Sequence, residues 1–220
     1  MAQYLIHSCN DRQWYVEQYL IPSMIKQGIH ENDITIYQDK ESKGCLDSCM
    51  HTFLNVPKDG GTWHLQDDVV IANNFKEMTE RYDYGLVCGI CTQFDGNMDY
   101  GMTDVEGMWY SFPCIRIPNK VARNCAKWYY NEAIHDPQYR MWIRKQKYDD
   151  SMFRRYLELH EAKITVLNLY PNIVNHIDYL IGGSVINKIR DKSIDTMAKY
   201  WIDDKTLQDI EKELKEHACT

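Results

Sequence analysis

Two adjacent pairs of acidic side chains are the residues whose types and spacing could do chemistry. Asp67 and Asp68 follow a short apolar run at residues 63–65 after one intervening glutamine, and Asp149 and Asp150 precede a helical pattern. Neighbouring carboxylates repel each other unless they are solvated or joined to a cation, and carboxylate oxygens are ligands that hard divalent cations prefer. Each pair could therefore hold a metal ion or accept a proton. A solvated turn for the first pair and a helix cap for the second are the simpler structural explanations.

A further aspartate and one histidine complete the set of candidates. Asp39 stands at the end of an apolar run at residues 34–37, and His176 ends the segment at residues 171–176. The sequence contains no GxGxxG, no GxxxxGK[ST] and no GxSxG pattern. Their absence removes the commonest signals for dinucleotides, nucleoside triphosphates and serine hydrolases.

Alternating strand and helix patterns predict the elements that position these residues. Apolar runs predict strands and apolar residues at helical spacing predict helices, and short connections between them favour a mainly parallel sheet flanked by helices, the α/β class. In such sheets ligands bind outside the carboxyl ends of the strands. Strands are predicted over residues 3–7, 34–37, 63–65, 84–94, 109–117 and 164–167, and helices over residues 12–27, 42–54, 119–134 and 149–159.

Composition narrows the class of function. The 220 residues carry a net charge of −7, which disfavours broad electrostatic capture of nucleic acid and means that an anionic substrate needs a positive patch or a bound cation. No apolar run reaches the roughly 20 residues of a membrane span, and the first residues do not resemble a signal peptide. Eight scattered cysteines then fit reduced thiols. We expect a cytoplasmic protein with one domain over residues 1–202 and a C-terminal surface helix within residues 203–220.

The order of the acidic segments resembles that of nucleotide-sugar glycosyltransferases with the GT-A fold, a Rossmann-like sheet. The similarity is to small bacterial and phage-type members related to family 2 and lipopolysaccharide-type transferases. Residues 63–69 resemble their aspartate motif, residues 148–153 their later ED motif, and residues 171–176 the proline-to-histidine stretch that closes the site. The resemblance extends from about residue 4 to residue 184. It implies a cytoplasmic enzyme of a bacterium or of a phage-infected host.

The resemblance implies a divalent cation and a proton acceptor. Asp68 and His176 match the positions that bind Mn²⁺ or Mg²⁺ in the family, and such an ion stabilises the leaving diphosphate. Asp150, with Asp149 beside it, matches the general base that takes a proton from the acceptor hydroxyl, which implies inversion. Gln66 departs from the pattern because many relatives have an acid there, and this leaves a metal-independent variant open.

The resemblance also implies a binding site for a nucleoside-diphosphate sugar. Ser8 and Arg12 match residues that contact the nucleotide, Asp39 the acceptor for the imide of the base, and Asp67 a residue that holds ribose or sugar hydroxyls. The sugar acceptor, whether a glycan, a lipid-linked sugar, a protein or a modified DNA base, is not encoded in any motif. Two alternatives use the same residues: a metal-dependent phosphohydrolase or nucleotidyltransferase, and a protein that binds nucleotide sugars without catalysis.

Overall fold

A seven-stranded sheet lies at the centre of the fold. The computed structural model describes residues 2–90, 101–104, 112–145, 148–169, 172–177 and 212. The sheet order is β2-β1-β3-β7-β5-β8-β6, and a separate two-stranded ribbon pairs β4 with β9. The strands are β1 Gln3–Cys9, β2 Ile34–Asp39, β3 Gly61–Gln66, β4 Val69–Ile71, β5 Leu86–Cys88, β6 Gly101–Asp104, β7 Cys114–Pro118, β8 Thr165–Asn168 and β9 Val174–His176.

Most strands of the sheet run in one direction. β1 is parallel to β2 and β3, and β5 is parallel to β8. β7 runs antiparallel to both of its neighbours, β3 and β5, and β6 runs antiparallel to β8. The predicted α/β class with a mainly parallel sheet is therefore confirmed.

Helices cover both faces of the sheet. They are α1 Gln13–Tyr15, α2 Ile21–Lys26, α3 Cys45–Asn55, α4 Phe75–Arg81, α5 Asn119–Asn131, α6 Arg140–Lys145 and α7 Asp149–His160. Side chains of α3, α5 and α7 form one apolar core, and those of α1, α2 and α4 contribute to a second core. Alternate residues of β3 reach different faces, since Trp63 and Leu65 lie in the second core while His64 contacts Phe53 of α3.

The first helical segment contains an irregular turn. The sequence predicts a helix over residues 12–27 that Pro22 kinks or splits, and the structure has a π-helical turn at Val16–Leu20 just before this proline. The N–H of Ile21 donates to Val16 O, five residues back. Pro22 has no N–H to continue the ladder. Gly28 ends the segment with φ +82° and donates to Ile25 O at 2.8 Å, as a C-terminal glycine does.

Several boundaries differ from the sequence prediction. The strand predicted at 84–94 is limited to Leu86–Cys88 within the described residues, and that predicted at 109–117 begins at Cys114. Helix α4 at Phe75–Arg81 and strand β6 at Gly101–Asp104 were not predicted. The C-terminal helix predicted over residues 203–216 lies outside the described residues except for Lys212. The six cysteines among the described residues are free thiols, and no helix there is long and apolar enough to cross a membrane.

Candidate functional site

The first acidic pair occupies the turn between β3 and β4. β3 ends at Gln66 and β4 begins at Val69, so Asp67 and Asp68 are the two residues that join them. Each aspartate is only 6% exposed. A solvated turn is therefore the wrong explanation for this pair. Burial of two neighbouring carboxylates requires compensating donors and positive charge.

Arg12 supplies that positive charge. Its Nη1 lies 2.9 Å from Asp67 Oδ1 and 2.6 Å from Asp68 Oδ2, and the residue is 8% exposed. Arg12 ends the 3₁₀ turn that follows β1, and β1 is parallel to β3. The carboxyl ends of the two strands therefore meet at one edge of the sheet. The backbone N–H of Cys9, also from the end of β1, donates to Asp67 Oδ2 at 3.0 Å.

His176 approaches the same pair from the β4–β9 ribbon. His176 is in register with Val69, and the N–H of Ile177 donates to Asp68 O at 2.8 Å. His176 Nε2 lies 3.0 Å from Asp68 Oδ1. Burial opposes ionisation of Asp68, but His176 and Arg12 together lower its pKa to about 2. Asp68 is therefore an anion across the physiological pH range. The pKa of Asp67 is raised, first by burial and then by the charge of Asp68.

Asp68 and His176 bring two types of metal-ligating atom together. Asp68 Oδ1, a carboxylate oxygen, and His176 Nε2, an imidazole nitrogen, are 3.0 Å apart and contact each other directly, and both atom types are acceptable ligands for Mn²⁺. Within the described residues, no three His, Cys, Asp or Glu side chains converge as a metal site. The protein thus offers two ligands here. Mg²⁺ commonly binds with one or two carboxylates, substrate phosphates and water.

The second acidic pair begins α7, and its two members have different surroundings. Asp149 is 7% exposed, and its pKa is raised to about 7, chiefly by burial, then by Asp150, with a further contribution from Asp68. Asp150 is half-buried, and its Oδ1 accepts from Ser151 N at 2.6 Å and Ser151 Oγ at 3.2 Å. Burial raises the pKa of Asp150 as well.

Asp39 and Ser8 lie at the same edge of the sheet, but their hydrogen bonds are to backbone groups outside the cluster of Arg12, Asp67, Asp68 and His176. Asp39 is in register with Cys9, and its two carboxylate oxygens accept from the N–H groups of Lys43 and Gly44, each at 3.0 Å. These bonds hold the loop that leads into α3. Ser8 is buried and donates to Cys9 O at 3.3 Å. The structure therefore joins Arg12, Asp67, Asp68 and His176 in one cluster of direct contacts and gives Asp39 a loop-stabilising contact. Asp149 and Asp150 make no direct contact with this cluster among the hydrogen bonds and ion pairs of the described residues.

Tyr15 is a supporting residue that the sequence analysis missed. Its buried hydroxyl donates to Val69 O at 2.9 Å, directly after the acidic pair. Tyr15 follows Arg12 by three residues, a helical spacing that places both side chains on one face. This spacing in the sequence could have indicated that Tyr15 lies beside the acidic pair. The contact holds the start of β4, the strand that pairs with the segment of His176.

Comparisons with known proteins add only distant likenesses. No protein-family model and no curated protein matches the sequence. Among solved structures, A197 from STIV has 12% identity and a TM-score of 0.43 over 79% of this chain and 85% of that one. The glycosyltransferase GlyE in Streptococcus pneumoniae TIGR4 has 11% identity and a TM-score of 0.36 over 92% and 66% of the two chains. A glycosyltransferase involved in glycosylation of the major capsid of PBCV-1 has 10% identity and a TM-score of 0.28 over 74% and 92%. Values this low carry no argument about activity.

Proposed function

We propose that the chain is a glycosyltransferase of GT-A type that moves a sugar from a nucleoside-diphosphate sugar to an acceptor hydroxyl, with inversion at the anomeric carbon. The observation that carries the proposal is the buried cluster of Arg12, Asp67, Asp68 and His176 at the carboxyl edge of the sheet. Ligands of open α/β sheets bind at this edge. A structural ion pair does not require four such groups at a strand end, whereas a diphosphate site does require cations and oriented donors.

Two side chains are suited to a divalent cation shared with the diphosphate. Asp68 and His176 would hold Mn²⁺ or Mg²⁺, which acts as a Lewis acid toward the leaving diphosphate. Arg12 adds a fixed positive charge beside them, and its Nη1 orients both carboxylates. Because the protein offers two ligands, we expect metal affinity to be low in the absence of nucleotide and to rise when phosphate oxygens complete the coordination.

Asp149 is the better candidate for the proton acceptor of the second pair. A general base works best when its pKa lies near the operating pH, and burial gives Asp149 a pKa of about 7. Asp150 is the residue that the motif alone favours, but one of its carboxylate oxygens already accepts hydrogen bonds from the N–H and the hydroxyl of Ser151. Asp149 would accept the proton of the acceptor hydroxyl as that oxygen attacks the sugar. Asp150 would keep the first turn of α7 in place.

The first test measures binding. Nucleoside diphosphates and their sugars are screened by thermal shift with and without Mn²⁺, because a ligand that binds only the native form raises its stability. We expect at least one nucleotide to stabilise the protein more with Mn²⁺ than without it. Asp68→Asn and His176→Ala should remove the Mn²⁺-dependent part, and Asp59→Asn, an exposed acid away from the cluster, is the matched control. Stabilisation that is equal with and without metal would refute the metal assignment.

The second test measures turnover with a panel of nucleotide sugars. The transferase releases a nucleoside diphosphate together with free or transferred sugar, whereas a phosphohydrolase releases phosphate or sugar phosphate. Asp149→Asn should lower turnover by about 10²–10⁴-fold with nucleotide binding retained, because general-base catalysis contributes that much. If Asp150→Asn loses turnover and Asp149→Asn does not, the assignment within the pair is wrong. If nucleotide sugars bind and the wild type forms no product from any of them, the protein is a binding protein without catalysis.

A further inference from the structure

A second concave site lies between α5 and the end of α7. Its volume is about 370 Å³, within the range of small-molecule sites. His160 lies eleven residues along α7 from Asp149, a distance of about 16 Å along the helix, so this groove is separate from the acidic cluster. The groove is lined by Asn124, Lys127, Trp128, Asn131, Glu132, Tyr156, His160 and Glu161.

The groove is built from one face of each helix. Its α5 residues recur at intervals of three and four, so Asn124, Lys127, Trp128 and Asn131 project from the same side. Tyr156 and His160 are one turn apart on α7 and project together. The lining is therefore fixed by two regular helices that already pack against each other.

Aromatic rings form the floor. The ring centroid of Trp128 lies 5.8 Å from that of Tyr156 and 5.7 Å from that of His160, and Tyr156 and His160 are 5.1 Å apart. The ring of Tyr139 also packs edge-on against Trp128, with 5.6 Å between the centroids. Trp128 and Tyr156 are buried beneath the groove and His160 is exposed, so the imidazole of His160 is the ring that a ligand can reach.

The rim carries hydrogen-bonding groups without an excess of positive charge. Asn131 offers a donor and an acceptor, Lys127 offers donors and Glu132 offers acceptors. Asn124 and Glu161 also bond Tyr156, whose hydroxyl donates to Glu161 Oε1 at 3.2 Å, and their remaining polar atoms face the groove. Two carboxylates against one ammonium disfavour a phosphate or another anion. A hydroxyl both donates and accepts, so a neutral polyol matches this mixture of amides, carboxylates and ammonium.

We propose that the groove is a binding site for a neutral oligosaccharide. The sugar's hydroxyls would pair with the rim, and one C–H face would lie over the exposed ring of His160, which packs on Trp128. The site needs no metal and no nucleotide, and it does not depend on the transferase proposal. Loss of the acidic cluster should therefore leave binding in the groove intact.

The experiment follows the tryptophan indole N–H signals by ¹H–¹⁵N NMR. The probes are tetrasaccharides of glucose, of mannose and of N-acetylglucosamine, added to about 10 mM, which still reveals a Kd near 1 mM. The Trp128 signal, assigned with Trp128→Phe, should shift with at least one probe. The Trp63 indole N–H donates to Thr79 O on the other side of the sheet, so the Trp63 signal should not shift.

Variants show whether the rim makes the contacts. Asn131→Ala combined with His160→Ala removes two exposed side chains and should raise the Kd at least about tenfold, since each lost hydrogen bond is worth a factor of about five. Asn55→Ala combined with His51→Ala removes the same residue types from the exposed face of α3 and should leave the Kd unchanged. Asp68→Asn should also bind normally.

Three outcomes would overturn the inference. The first is that no tetrasaccharide moves the Trp128 signal. The second is a shift that persists with equal affinity in the Asn131 and His160 double variant. The third is that inorganic phosphate moves the Trp128 signal at lower concentration than any sugar does.

Discussion

Replacing Asp149 with asparagine should stabilise the protein at high pH. Burial raises the pKa of Asp149 from 3.8 to about 7. The native state therefore prefers the protonated acid, and the stabilisation that is present below about pH 4 is lost as the pH rises through about 7. A difference of about three pKa units at 1.36 kcal/mol per unit gives about 4 kcal/mol. Asparagine has no ionised form and so avoids this loss.

Urea unfolding of both proteins between about pH 4 and pH 8 measures the effect. We expect the free energies of unfolding of wild type and Asp149→Asn to be similar near pH 4. The variant should become more stable than the wild type by up to about 4 kcal/mol near pH 8. Asp59→Asn, at an exposed position, controls for the general loss of one negative charge.

The same residue should show the opposite effect on turnover. If Asp149 accepts a proton, turnover should rise as the pH increases through about 7, because the carboxylate form is the base. The free energy of unfolding of the wild type falls over the same rise in pH. A stability difference that does not change with pH would refute the raised pKa. A variant less stable than the wild type at pH 8 would show that hydrogen bonds of the carboxylate outweigh its desolvation.

Two further substitutions test the packing of the site. Arg12→Met should lower the free energy of unfolding by about 3 kcal/mol at pH 7 in urea titrations, because two buried carboxylates lose their shared cation; an unchanged midpoint would show that the ion pairs do not stabilise the fold. Gly89→Ala should destabilise by about 1–3 kcal/mol in the same assay, since a Cβ would lie 2.7 Å from Cys114 Sγ and 2.9 Å from Ile173 Cγ1; a wild-type value there would mean that both neighbours move away without strain.

The local elements of the chain were predictable because they depend on nearby residues. Apolar runs located β1, β2 and β3, and the positive φ of Gly28 follows from its place after a helical pattern. The first acidic pair was found because it follows such a run, and the second because it precedes a helical pattern. The sequence also indicated that Pro22 disturbs the first helix, and the π turn before it is the form that this disturbance takes.

The pairing of distant segments was not predictable in the same way. Nothing local in the sequence indicates that His176 lies opposite Val69, since that register depends on two short strands separated by about a hundred residues. The burial of Asp67 and Asp68 follows from Arg12, which reaches them because β1 and β3 are neighbours. For Asp39, the loop N–H groups that occupy its carboxylate depend on loop geometry, which residue type alone does not specify.

The reversed strand β7 has a consequence for the order of assembly. It pairs with β3 on one side and β5 on the other. Without β7, the strands β2, β1 and β3 would not be joined to the strands β5, β8 and β6. During synthesis from the N-terminus, β1, β2 and β3 can associate early, but β5 must wait until the chain has been made as far as Pro118. Joining the two halves is then a late, long-range event of the kind that slows folding. We therefore expect a nascent chain that ends before β7 to expose the unpaired edge of β3, which chaperones can bind.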